Sequence, residues 1–205
     1  MRRLPVYLLL DTSGSMGGEP IEAVKNGVQI MISSLRGNPQ AQETAYISVI
    51  TFDSVANQII PLTDLGSFQM KDIQATGTTA LGEGLKLLSN CIDNEVTKTT
   101  PETKGDWKPL VFIMTDGVPT DSWQNGLVEN KKRKTGIVVA CAAGSGADTS
   151  VLKQITDNVV ELATADSQSI AKFFAWVTAS IGVSSTKVED SGKEVIGLNE
   201  LPPPP

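Results

Sequence analysis

The 205-residue chain contains no histidine. That one absence removes the Ser-His-Asp triad, the Cys-His dyad, His-ligated zinc and imidazole acid–base chemistry together. Cysteine is scarce. Cys91 and Cys141 are the only two, and each sits in an apolar context, LLSNCID and IVVACAAG. They read as small buried thiols, neither a disulfide framework nor a metal knuckle. No apolar run approaches the roughly 18 residues of a membrane span. Arg2-Arg3 ahead of an apolar stretch imitates a secretory leader. The stretch, however, covers about six residues against roughly 7–15 in a leader, and it ends on Asp11. The expectation is a soluble, cytoplasmic protein. Positive charge is the minority sign, with 17 Lys and Arg against 23 Asp and Glu. Such a balance argues against a nucleic-acid partner, which wants a basic face. The one basic run, Lys131-Lys132-Arg133-Lys134, reads as a solvated helix C-terminus, where cations suit the dipole.

What the chain does have is the composition of one globular domain, 40% hydrophobic and 20% charged. Apolar runs alternate with helical patterns. VYLLLD (6–11), AYISVITF (45–52), LVFIMTD (110–116) and IVVACAAG (137–144) are unbroken strand-like runs. Strands of this kind are buried on both faces, which implies a parallel sheet between helices. QIIPLT (58–63) is shorter, and its Pro61 suggests an antiparallel edge; VVEL (159–162) is a last short strand. Helices are expected over 20–35, 79–94, 122–134, 148–157 and 167–181, the first with Pro20 at its start. Residues 95–109 read as an exposed loop. The folded domain is expected to span 1–183, followed by a flexible, proline-ended tail over 184–205.

Ligands of an open parallel sheet bind at the carboxyl ends of its strands. Two strands end there on an acid, Asp11 and Asp116, and GTTALGEG (77–84) places hydroxyls just before a helix. If those strands are neighbours, one crevice gathers two carboxylates and several Ser and Thr hydroxyls, with no nitrogen or sulfur donor. An all-oxygen set suits a hard cation, Mg²⁺ or Mn²⁺. Neutral hydroxyls leave such a cation under-neutralised, so a carboxylate from a partner can complete its sphere. Singly, Asp11 and Ser13 are ordinary helix caps and Asp116-Gly117 an ordinary turn. Capping alone leaves unexplained why both acids close buried strands.

At these residues the chain resembles the von Willebrand factor A domain family. Asp11-Thr12-Ser13-Gly14-Ser15 matches the D-x-S-x-S motif, Met114-Thr115-Asp116-Gly117 the later T-D-G turn, and Gly77-Thr78-Thr79 the threonine loop between them. The resemblance covers about residues 4–181. It implies a metal-ion-dependent adhesion site, with Ser13 and Ser15 as direct ligands and Asp11 acting mostly through water. A threonine would join in some states, and Asp116 would hold a coordinated water. In the family a small residue follows the ligand threonine by three positions and an apolar one by six. Thr79, with Gly82 and Leu85, fits; Thr78, with Leu81 and Gly84, does not. More narrowly, the opening RRLPVYLLLDTSGSMGGEPI, the TGTTALGEGL loop, the MTDGVPTD turn and the proline-ended tail resemble the stand-alone bacterial TerY-type proteins. Those are associated with tellurite resistance and stress, and their partners are thought to include a kinase and a phosphatase.

The expectation is therefore an α/β, doubly wound, mostly parallel sheet with one antiparallel edge strand and helices on both faces. Its function would be non-enzymatic, metal-dependent docking of a partner's Asp or Glu, with no nucleic acid or membrane involved. The rival is a Mg²⁺-dependent phosphatase-like hydrolase using Asp11. Such an enzyme wants a second acid two residues on, where this chain has Ser13. A nucleophile elbow wants a glycine two residues before its serine, where Ser13 has Asp11 and Ser15 has Ser13, and a P-loop lacks its lysine. Of three tryptophans, Trp176 joins Ile170 and Phe173 at helical spacing as core, Trp123 lies near the proposed site, and Trp107 has no assigned role.

Overall fold

Neighbouring residues of the first strand point to opposite sides of the sheet, and both sides are dry. Strand β1 (Leu4–Asp11) sends Val6, Leu8 and Leu10 into one core and Tyr7 and Leu9 into the other. Strands β4 (Leu110–Thr115) and β5 (Val138–Ala143) alternate the same way, Phe112 and Cys141 on one side, Ile113 and Ala142 on the other. This two-sided burial is why these strands lack polar alternation.

The computed structural model describes residues 2–205. Six strands lie in the order β3-β2-β1-β4-β5-β6, with β2 at Ala45–Phe52, β3 at Ala56–Asp64 and β6 at Val159–Leu162. All pairs are parallel except β2 with β3. Pro61 lies in that outer strand, where a missing N–H costs no ladder bond. Helices α1 (Glu19–Arg36), α2 (Pro39–Thr44) and α6 (Ser167–Ser191) cover one face, and α3 (Leu81–Glu95), α4 (Trp123–Lys131) and α5 (Thr149–Ile155) the other. Apolar residues of α1 recur on one face, Val24, Val28, Met31 and Leu35, all buried. The six-residue α2 had no signal in the hydrophobic pattern. Helix α4 stops at Lys131, so most of the basic run lies just beyond it. There Arg133 bonds Asp93 and Glu129. Both cysteines are free and buried. No helix among the described residues is long and apolar enough to cross a membrane.

The domain boundary expected at 183 falls inside a helix. Helix α6 continues to Ser191 and closes on Gly192 in the left-handed conformation (φ 63°), a conformation glycine adopts without strain. The chain then folds back. Val195 is buried, Leu198 and Leu201 pack on the core, and the Trp176 indole N–H donates to the Pro202 carbonyl at 2.8 Å. Residues 184–202 are thus part of the folded unit. They looked like a tail because the inward-facing residues Ser184 and Ser185 are small and polar. Trp107 also gains a role, its ring carrying the Arg2 guanidinium 3.4 Å from the centroid.

Candidate metal centre

Strand order reverses between β1 and β4, which leave the sheet side by side with Leu10 paired to Met114. Asp11 and Asp116 therefore emerge at the same crevice, the switch point where doubly wound sheets bind ligands. Between them the protein places the other hydroxyls. The Ser13 and Ser15 Oγ atoms are 3.0 Å apart, and Ser15 Oγ donates to Asp116 Oδ1 at 2.7 Å. Thr79 is drawn in from far along the chain. A Cβ added to Gly117 would lie 3.4 Å from Thr79 Oγ1 and 4.0 Å from Ser15 Oγ, so Gly117 leaves open the space between these hydroxyls. Thr78 points elsewhere, its hydroxyl on Ser54 Oγ at 3.3 Å. All five residues singled out from the sequence thus converge, Thr79 and not Thr78 among them.

Asp11 is fully buried and both its oxygens are engaged. The Ser13 backbone N–H donates to Oδ1 at 2.7 Å and the Thr115 hydroxyl to Oδ2 at 2.6 Å. Burial raises its pKa above the ordinary Asp value. The bonds from Ser13 and Thr115 oppose that rise, and the charge of Asp116 adds to it.

The threonine loop has no regular structure, yet it is tightly held. Thr76 N donates to Thr12 O, Gly14 N to Gly77 O, and Ala80 N to Asp53 O. Gly77 has φ +71°, and a Cβ there would meet Ser54 Oγ at 2.4 Å. Thr120 and Asp121 fix the loop from the other side. Thr79 N donates to Thr120 Oγ1 at 3.1 Å and Thr120 N to Thr79 O at 2.9 Å. Asp121 accepts from Gly82 N and Glu83 N, capping α3 from another loop. Gly82 is small for a visible reason: a Cβ there would lie 2.6 Å from Trp123 Cα. Thr115, Thr120 and Asp121 had no assigned role in the sequence. The repeated Thr-Asp of TDGVPTD was the one available signal.

The donor set can be tested against a cation. Among the described residues no three His, Cys, Asp or Glu cluster as metal ligands, so the set is two carboxylates supported by hydroxyls. Octahedral Mg²⁺ with bonds of 2.0–2.1 Å puts adjacent ligand oxygens about 2.9 Å apart. The Ser13–Ser15 separation matches that spacing, and the oxygen-only chemistry suits a hard divalent ion.

Fold and site together define a doubly wound α/β domain with a cluster of carboxylate and hydroxyl oxygens at its switch point. The model of the von Willebrand factor type A domain matches residues 6–175, and the chain belongs to that family. An uncharacterized protein of Synechocystis sp. is 36% identical over 123 residues, which is 57% of this chain and 26% of the relative. Among solved structures, proximal thread matrix protein 1 of the mussel byssus superposes with a TM-score of 0.66 at 19% identity, over 87% of this chain and 48% of that one. That mussel protein was solved with a zinc-occupied metal-ion-dependent adhesion site. The pilus adhesin SpaC of Lactobacillus rhamnosus GG gives a TM-score of 0.72 at 15% identity, over 89% of this chain and 31% of the adhesin. The chain spans about a quarter of the Synechocystis relative and less than half of either solved structure.

Proposed function

We propose that this domain is a protein-docking module, not an enzyme, whose Mg²⁺ site captures an Asp or Glu side chain of a partner. Mn²⁺ is the alternative cation. The carrying observation is the Ser13 and Ser15 hydroxyl pair, 3.0 Å apart beside Asp116 and opposite Thr79. In this reading Ser13, Ser15 and Thr79 ligate directly, and Asp11 and Asp116 act through bound water. The bound cation supplies an electrophilic position for an incoming carboxylate. Asp11 suits support of the site better than nucleophilic attack, since it is buried with both oxygens engaged. The resemblance to TerY-type proteins extends the proposal to a cytoplasmic adaptor of a bacterial tellurite-resistance or stress system. Its partners there would be a kinase or phosphatase.

A pull-down comparing wild type, Asp11→Ala and Ser13→Ala, each with Mg²⁺ or EDTA, tests this. Capture is expected only by wild type in Mg²⁺. Equal capture in every condition refutes metal-dependent docking. Turnover of p-nitrophenyl phosphate with Mg²⁺ would favour the hydrolase.

A further inference from the structure

The loops around the candidate cation site carry charge of one sign only. Segments 11–19, 53–55, 74–80, 116–122, 144–148 and 163–166 together hold seven Asp or Glu and no Lys or Arg. They lie at the carboxyl ends of the parallel strands, with 74–80 threaded among them. Part of this acidity has a local cause. A doubly wound fold gathers helix N-termini at this edge, and those favour acids. Asp121, Asp148 and Asp166 each accept backbone N–H bonds at a helix start.

The field does not depend on the cause. Five helix N-termini contribute about half a positive charge each and a divalent cation adds two, so the seven carboxylates, Asp11 and Asp116 included, still exceed the positive charge by about 2.5. The opposite edge carries both signs, with Arg3 paired to Asp106, Lys108 to Glu194 and Arg133 to Asp93 and Glu129. The centre and the rim of the site therefore make opposite demands. At the centre, Thr79 is 6% exposed, its hydroxyl makes no hydrogen bond among the described residues, and only two carboxylates are present. A cation held there wants one more anion. At the rim, any acidic approach is repelled.

We propose that the carboxylate this site captures stands in a basic setting on its partner: one Asp or Glu flanked by Lys or Arg. This inference rests on the metal-docking reading. A carboxylate in an acidic segment approaches against like charge, whereas one carried by a cationic segment is drawn inward. The rim thus rejects acidic surfaces in general and admits the exceptional acid. Val55 and Val118, 58% and 57% exposed, flank the entrance. They offer apolar contacts for the methylene stems of the flanking Lys or Arg.

Short synthetic peptides with a central Glu, flanked by Lys, by Ser or by Asp, test the proposal. A fourth has Lys flanks and a central Gln. Binding is read from the backbone amide NMR signals of Ser13, Thr79 and Gly117, in Mg²⁺ and in EDTA. The Lys-flanked Glu peptide is expected to bind at least about tenfold tighter than the Ser-flanked one, and to weaken as salt rises. The Asp-flanked and Gln-centred peptides should leave those signals unmoved. The double substitution Asp53→Asn with Asp166→Asn keeps an acceptor oxygen for Val55 N and for Ser169 N and strips two rim charges. It should narrow the preference severalfold and leave the Mg²⁺ titration unchanged. Equal binding of the Lys-, Ser- and Asp-flanked Glu peptides overturns this proposal and leaves the metal site standing. Equal binding of the Glu and Gln peptides also overturns it. If Mg²⁺ alone shifts none of the three signals, the metal reading falls and this inference with it.

Discussion

Asp11→Asn should make the metal-free domain more stable and the metal-loaded domain less stable than wild type. The structure supplies both halves. An Asn can accept from Ser13 N through its oxygen and donate to Thr115 Oγ1 through its nitrogen, because the threonine hydroxyl can reverse its bond. Neither partner is orphaned, so the roughly 1–3 kcal/mol cost of an unsatisfied buried group is avoided. What changes is the buried charge, whose burial raises the Asp11 pKa. A raised carboxyl pKa means that the folded state holds the proton more tightly than the unfolded chain. The ionised group then costs stability above its folded pKa. The cost shrinks as pH falls through that value and vanishes below the unfolded one. A relief of about 1 kcal/mol at neutral pH raises Tm by roughly 2–4 °C in a domain of this size. Cation at a hundred times its Kd stabilises wild type by about 2.7 kcal/mol, and the substitution should forfeit most of that. Thermal denaturation in EDTA and in saturating Mg²⁺ should therefore show the two proteins exchanging rank. In EDTA the advantage of the Asn variant should narrow as pH is lowered. A variant less stable than wild type in EDTA refutes the argument from buried charge. An undiminished Mg²⁺ shift removes Asp11 from the site.

Three further substitutions separate site from scaffold. Thr79→Val removes a hydroxyl that makes no hydrogen bond among the described residues. Stability should change by no more than about 0.5 kcal/mol, while calorimetric Mg²⁺ binding is lost; Thr78→Val should retain it. Asp121→Ala strips the cap from Gly82 N and Glu83 N. It should cost about 1 kcal/mol of stability, seen as a lower Tm, and weaken Mg²⁺ binding by loosening Thr79. Gly27→Ala sets propensity against packing. Ala favours a helix by about 1 kcal/mol, yet its Cβ would sit 2.4 Å from Phe174 Cδ2. Overpacking of about 1–3 kcal/mol should win, and chemical denaturation should show a less stable protein.

Much of the architecture was legible because two-sided burial writes itself into the strands. The runs at 45–52, 110–116 and 137–144 coincide closely with β2, β4 and β5, and Pro61 marked the antiparallel edge. Helix α6 was cut short because Ser184 and Ser185 look like linker residues. They are buried only because the helix continues across a surface that sequence does not display. The segment from Val195 to Pro202 was missed for the same reason. Its cover is the indole of Trp176 and the core beneath Leu198 and Leu201, none of it local. The loop at 74–80 has no periodicity to read. Its shape comes from bonds to residues that lie far off in the chain.

By itself the sequence determined which donor chemistry is available: no imidazole, no thiol cluster, two strand-end carboxylates and three hydroxyl-bearing segments. It also fixed the periodicities that make a doubly wound sheet, since burial on one face or two acts on neighbouring residues. Only the tertiary structure decided which donors meet. Pairing of β1 with β4 brought Asp11 and Asp116 to one crevice, and Thr120 with Asp121 aimed Thr79 into it. Those distances depend on packing between segments a hundred residues apart, and a local pattern carries no record of that packing.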